Sequence, residues 1–115
     1  MKIIKKLDGW CAVVALQSVS GLDAKAVVGV CEFHGFDPFH GMEDAEWQAA
    51  AKELKIKIKS VRIIPQKLRR FVHKHPKGTF LLGSKDHLLA VREGKPFDPI
   101  HGSLDIIIKQ AWRVL

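Results

Sequence analysis

The spacing of apolar side chains changes character part-way along this chain, close to Lys55. Before that point the pattern is helical. Cys11 to Ser20 carries Ala12, Val13, Val14, Ala15, Leu16 and Val19, with Gly9 before it and Gly21 after it. A segment that is apolar on most sides and bounded in this way reads as a central, buried helix. Its valines leave a buried strand as the alternative; two alanines, Leu16, Gln17 and the length favour the helix. Asp23 is placed to cap a second helix over Ala24 to Phe33, ending at Gly35. Two glycines and a proline make His34 to Gly41 a loop. A third helix is expected over about Glu43 to Leu54, where Ala45, Trp47, Ala50, Ala51 and Leu54 recur at helical spacing. Early Glu43 and Asp44 and late Lys52 and Lys55 suit its dipole.

Beyond that point the period becomes two. Ile56 to Val61 alternates apolar and polar residues, the signature of a half-buried strand. Pro65 opens a short helix, Gln66 to His73, with Leu68, Phe71 and Val72 on one side. Pro76 and Gly78 end it. Thr79 to Leu82 and His87 to Val91 read as strands. Glu93-Gly94 turns the chain, and Pro96 to Asp98 returns. Leu104 to Ile108 is a further strand, and Ala111 to Leu115 closes the sheet. Helices first and short strands afterwards argue for an α+β fold with an antiparallel sheet. The 115 residues form one domain, residues 1–115, with no internal repeat, linker or low-complexity tract.

Composition narrows the class without naming a function. The apolar fraction is 47% and the charged fraction 27%, ordinary values for a globular protein. No apolar run approaches the length that spans a membrane. Lysines near the start are not followed by a signal-peptide core, so no secretion signal is read and a cytoplasmic location is expected. Two cysteines, Cys11 and Cys31, suit free thiols in a reducing compartment rather than a disulfide scaffold. The net charge of +7 makes an anionic partner such as nucleic acid worth considering. The basic residues gather in two runs, Lys52, Lys55, Lys57, Lys59 and Arg62, then Lys67, Arg69, Arg70, Lys74 and Lys77. Neither is interleaved with aromatic residues in the way single-stranded nucleic-acid binders require, and a solvated face is the plainer reading.

The chemistry-bearing residues are Cys11, His87 and Asp98. Cys11 sits where a glycine-containing turn enters the buried helix. N–H groups at that end favour a thiolate and can donate to an oxyanion. His87, at a strand start, is the general base such a nucleophile needs. A turn at Glu93-Gly94 makes paired positions sum to about 185 to 187. Asp98 then falls opposite residues near 87 to 89, where its carboxylate can orient the imidazole. Each residue also has a plainer role: Cys11 as a small buried hydrophobe, His87 as a satisfied strand-end histidine, Asp98 before Pro99 as a turn former.

The stretch Asp8-Gly9-Trp10-Cys11-Ala12-Val13-Val14-Ala15-Leu16, with Gly21 after it, resembles the nucleophile helix of papain-like cysteine peptidases. It is most similar to the bacteriocin leader-processing (double-glycine) peptidases and small phage-encoded proteins like them. The stretch Asp86-His87-Leu88-Leu89-Ala90-Val91, followed by Phe97-Asp98-Pro99-Ile100-His101-Gly102, resembles the second half of the same pattern. The resemblance covers nearly the whole chain. It implies a papain-like fold, N-terminal helices with a central nucleophile helix packed on a C-terminal antiparallel sheet. It also implies a thiol hydrolase, peptidase or amidase-like, acting on a peptide or protein substrate through a Cys11-His87-Asp98 triad and needing no cofactor. One position departs from it. Papain-like enzymes usually carry a Gln about six residues before the cysteine, which helps form the oxyanion hole; here Lys5 stands there, and no Gln or Asn precedes Cys11. Lys5 is therefore the candidate oxyanion donor, and Trp10 a candidate substrate-lining residue.

The missing amide leaves a second class of function in view, a non-catalytic interaction module on the same scaffold. A basic nucleic-acid-binding protein is the third. No metal is expected: Cys31, His34, His40, His73 and His75 match no closed four-ligand spacing. Cys31, Trp47 and Trp112 are assigned to the core.

Overall fold

The computed structural model describes residues 10–38, 41–84, 87–97 and 104–115. They form a compact α+β domain. Three helices come first: α1 (Cys11–Ser20), α2 (Ala24–Phe33) and α3 (Asp44–Glu53). Then follow β1 (Ile58–Val61), β2 (Gln66–Lys67), α4 (Leu68–Lys74), β3 (Thr79–Ser84), β4 (His87–Arg92), β5 (Lys95–Phe97), β6 (Ile107–Ile108) and β7 (Gln110–Val114). The main sheet has the order β1-β7-β3-β4-β5, antiparallel throughout, and β2 and β6 make a separate two-stranded piece. No helix among the described residues is long and apolar enough to cross a membrane.

The helix ends follow local chemistry. Gly21 closes α1 in the left-handed region at φ 67°, its N–H donating to Gln17 O. Asp23 takes the position before α2 but makes no side-chain cap. At the start of α3, Glu46 reaches back and accepts the Glu43 N–H at 2.8 Å, half of a capping box. The far end of α3 is a Schellman turn: Ile56 N–H donates to Ala51 O at 2.9 Å. The residue that must turn left-handed there is Lys55, at φ 62°.

The sheet is covered on both sides. On one face Leu81, Leu88, Ala90 and Trp112 join Ala12, Val13, Leu16, Val27, Trp47 and Ala50 from the helices. On the other, Phe80, Leu82, Leu89, Val91 and Ala111 pack with Leu68 and Phe71 of α4 and with Ile108. This is why β3 and β4 are apolar at four consecutive positions instead of alternating.

Three expectations are revised. The helix after Pro65 begins at Leu68 rather than Gln66, because Gln66 and Lys67 are extended and pair with Ile108 and Ile107. Leu68 and Arg69 N–H groups donate to Ile106 O and Leu104 O at 2.9 and 2.8 Å, so backbone carbonyls cap α4. The strand expected over Leu104 to Ile108 therefore shortens to Ile107–Ile108. The last strand does not close the sheet at its margin. β7 lies between β1 and β3, where Ala111 and Trp112 are buried on opposite faces.

A lysine in the left-handed region carries a penalty that glycine avoids. Lys55→Gly is expected to raise stability by about 1 kcal/mol, read as a higher urea midpoint with an unchanged slope.

Candidate active site

Cys11 occupies the first position of α1. Trp10, before it, makes no side-chain cap, so the first-turn N–H groups have no intrahelical acceptor and no capping side chain from that residue. Cys11 is half-buried and carries a free thiol. Its Sγ accepts the backbone N–H of Leu88 at 3.4 Å, across 77 positions of sequence. Packing produces this meeting: α1 lies against β4, burying Ala12, Val13, Ala15 and Leu16 in the core that holds Leu88 and Ala90. The head of α1 thus arrives at the first residues of β4.

A cavity of about 400 Å³ opens there, and both Cys11 and His87 line it. Ala12 and Leu88 beside them, Gly83 and Ser84 from the end of β3, Gln110 from the start of β7, Asp44 and Trp47 from α3 and Met42 and Glu43 just before it complete the described wall. Trp47 is buried and donates Nε1–H to Asp44 Oδ1 at 3.0 Å, which holds that carboxylate. Gly83 makes room for Gln110: a methyl group at position 83 would come within 3.2 Å of Gln110 Oε1 and 3.4 Å of the Trp112 ring.

The structure therefore brings together Cys11 and His87. Trp10 adjoins Cys11 but packs edge-on against Phe36, ring centroids 4.9 Å apart, and is not among the lining residues. Lys5, Asp98, His40 and His101 lie outside the described residues. The β4-β5 hairpin has the expected turn, with Glu93 and Gly94 both at positive φ. Its pairs Arg92 with Lys95, Val91 with Pro96 and Ala90 with Phe97 sum to 187. Sequence reasoning missed Glu43, Asp44 and Gln110. A signal existed for Gln110 alone, since a glycine inside an apolar strand, here Gly83, marks a close approach.

Cys31 behaves as a core residue. It is fully buried, and burial pushes its thiol from 9.0 up to about 11. Trp47 and Trp112 stack edge-to-face in the same core at 4.8 Å. His34 pairs with Glu53 at 2.8 Å, and among the described residues no group of three His, Cys, Asp or Glu is arranged to hold a metal ion.

The raised Cys31 value has a stability consequence. The unfolded thiol ionises near pH 9 and the folded one near 11, so this contribution is intact below pH 9 and is lost as pH rises towards 11. Its size is about 2–3 kcal/mol. The difference in urea midpoint between about pH 8.5 and 11 is expected to shrink in Cys31→Ala. In the folded protein, iodoacetamide is expected to modify Cys11 and leave Cys31 untouched until unfolding. Comparison with protein-family models, with curated proteins and with solved structures finds no match to this chain, so the site is read from its own geometry.

Proposed function

We propose that this protein is a papain-like thiol hydrolase that cleaves an amide bond, peptide, isopeptide or side-chain amide, with Cys11 as nucleophile and His87 as proton carrier. One observation carries the reading. A cysteine at the head of a buried helix and a histidine at the start of a distant strand line one cavity, and the Leu88 N–H donates to the sulfur. The first-turn N–H groups, which have no acceptor within the helix, and the Leu88 N–H are donors grouped around the sulfur and the space beside it.

The chemistry follows from those positions. His87 takes the Cys11 proton, and the thiolate attacks the carbonyl carbon, forming a C–S bond. The oxyanion is met by N–H groups at the head of α1. The C–N bond then breaks, and the leaving amine takes the proton from His87. Water, giving a proton to His87, attacks the thioester; the acid leaves and the proton returns to sulfur. Asp98, just beyond β5 in sequence, is assigned to orient His87 on the resemblance to the papain-like pattern. Gln110 supplies the one side-chain amide among the described lining residues, and it is proposed to donate to the oxyanion in place of the Gln that the segment before Cys11 lacks. Lys5 is the rival for that role.

Alkylation of Cys11 followed against pH tests the pair. Replacing His87 by Ala is expected to slow the reaction at neutral pH by about tenfold or more, because the side chain that takes the thiol proton is gone. Equal rates in the two proteins would remove the pair and favour a non-catalytic interaction module. Cys11→Ala is expected to abolish turnover and leave the circular-dichroism spectrum unchanged. Among oxyanion candidates, Gln110→Ala is expected to cost about a hundred- to a thousandfold in kcat with little change in KM. The same loss in Lys5→Ala instead would move the role to Lys5.

A further inference from the structure

A second concavity, of about 680 Å³, lies in the corner where α3 turns into β1, lined by Ala49, Lys52, Lys55, Ile56, Lys57 and Ile58 among others. Its floor is apolar, with Ile56 buried and Ile58 half-buried. Its rim is lysine. Among the described residues none of these three lysines has a carboxylate partner, whereas Lys67 and Arg69 of the other basic run face Asp105 at 4.0 and 3.4 Å.

One side of the groove is a sheet edge. β1 is the outer strand and pairs only with β7 among the described strands. Leu115 N–H donates to Lys57 O at 2.9 Å. Alternation in an antiparallel ladder then turns the backbone groups of Lys59 and Val61 towards β7 and those of Ile58 and Ser60 outwards. Two N–H and two C=O groups are therefore presented along the open edge, beside the apolar floor. The third observation is backbone strain. Lys55 holds the left-handed position that ends α3, where glycine is the residue of least cost. The unfavourable residue at that turn is the one whose lysine side chain lines the groove.

We propose that this groove binds an acidic peptide segment in extended conformation, added to the sheet as a strand alongside β1. The backbone groups of Ile58 and Ser60 pair with its main chain, Ile56 and Ile58 take its apolar side chains, and Lys52, Lys55 and Lys57 take its carboxylates. The same lysines repel a second copy of this strongly basic chain at that edge. Nucleic acid fits less well, because no aromatic side chain among the described residues lines the groove for a base to stack on. The inference is independent of the chemistry proposed for Cys11. α3 contributes its first turn to the cavity and its second half to the groove.

The probe is a fluorescent peptide of alternating Glu and Val, titrated with the full chain and followed by anisotropy. Saturable binding that weakens as salt rises is expected, as is its loss when alternate backbone nitrogens of the peptide are methylated. Lys55→Gly is expected to bind about fivefold more weakly while being more stable than the parent, which separates affinity from folding. The double variant Lys52→Gln, Lys57→Gln is expected to lose a further factor of about ten. No binding, equal binding of the methylated peptide, or unchanged affinity in both variants would overturn the proposal. So would a single-stranded oligonucleotide that binds more tightly and displaces the peptide.

Discussion

The packing of α1 on β4 is the contact on which the rest of this structure depends. Small residues on the buried side of α1, Ala12, Val13 and Ala15, let the helix lie close to the sheet, and Leu16 fills the space beyond them. The contact buries apolar area, and each fully buried aliphatic side chain contributes about 1.5–3 kcal/mol. It also sets position. A helix held against a strand along its length has its first residue fixed relative to the strand's first residues, and that is how Cys11 Sγ comes to lie 3.4 Å from Leu88 N. The candidate chemistry is thus anchored by the core rather than by the loops around it.

The sheet supports this arrangement from behind. With α4, β2 and β6 on the far face, β3 and β4 are shielded from water on both sides. A ladder shielded in this way opens rarely, because its hydrogen bonds cannot be replaced by water without breaking the packing. Strength falls off towards the margins. β1 is half-exposed, has an unpaired side among the described residues and carries Lys57 and Lys59 around it. The doubly covered strands lie beside the cysteine and carry the histidine, while the margin leaves the backbone groups of Ile58 and Ser60 without a partner strand among the described residues.

Charge divides the surface in the same way. The chain carries +7 overall, yet the cavity beside Cys11 is walled on one side by Glu43 and Asp44. Both acids have a local reason to be there, at the start of α3 where the helix dipole favours negative charge. Lys52, near the end of that helix, and Lys55, just beyond it, gain from the dipole's opposite end. One ten-residue helix therefore presents an acidic end to the cavity and a basic end to the groove.

Elements whose causes are local could be read from the order of residues alone. The bounds of α1 and α2, the charged ends of α3, the turn at Glu93-Gly94 and the β4-β5 register all follow from periodicity, glycine, helix-end charge and turn chemistry within a few residues. The cysteine at a helix head and the histidine at a strand start were legible as residue types, and the structure sets both in the wall of one cavity. Tertiary structure alone decided the rest. Gln66 and Lys67 became strand instead of helix because Ile107 and Ile108 were there to pair with them. β7 became an inner strand because burial on both faces outweighs chain order. Glu43, Asp44 and Gln110 entered the cavity wall, and Trp10 did not, because the way α3 and β7 pack against α1 and β4 chooses which side chains face a shared space. Local patterns name the faces of each element; only long-range packing decides which faces meet.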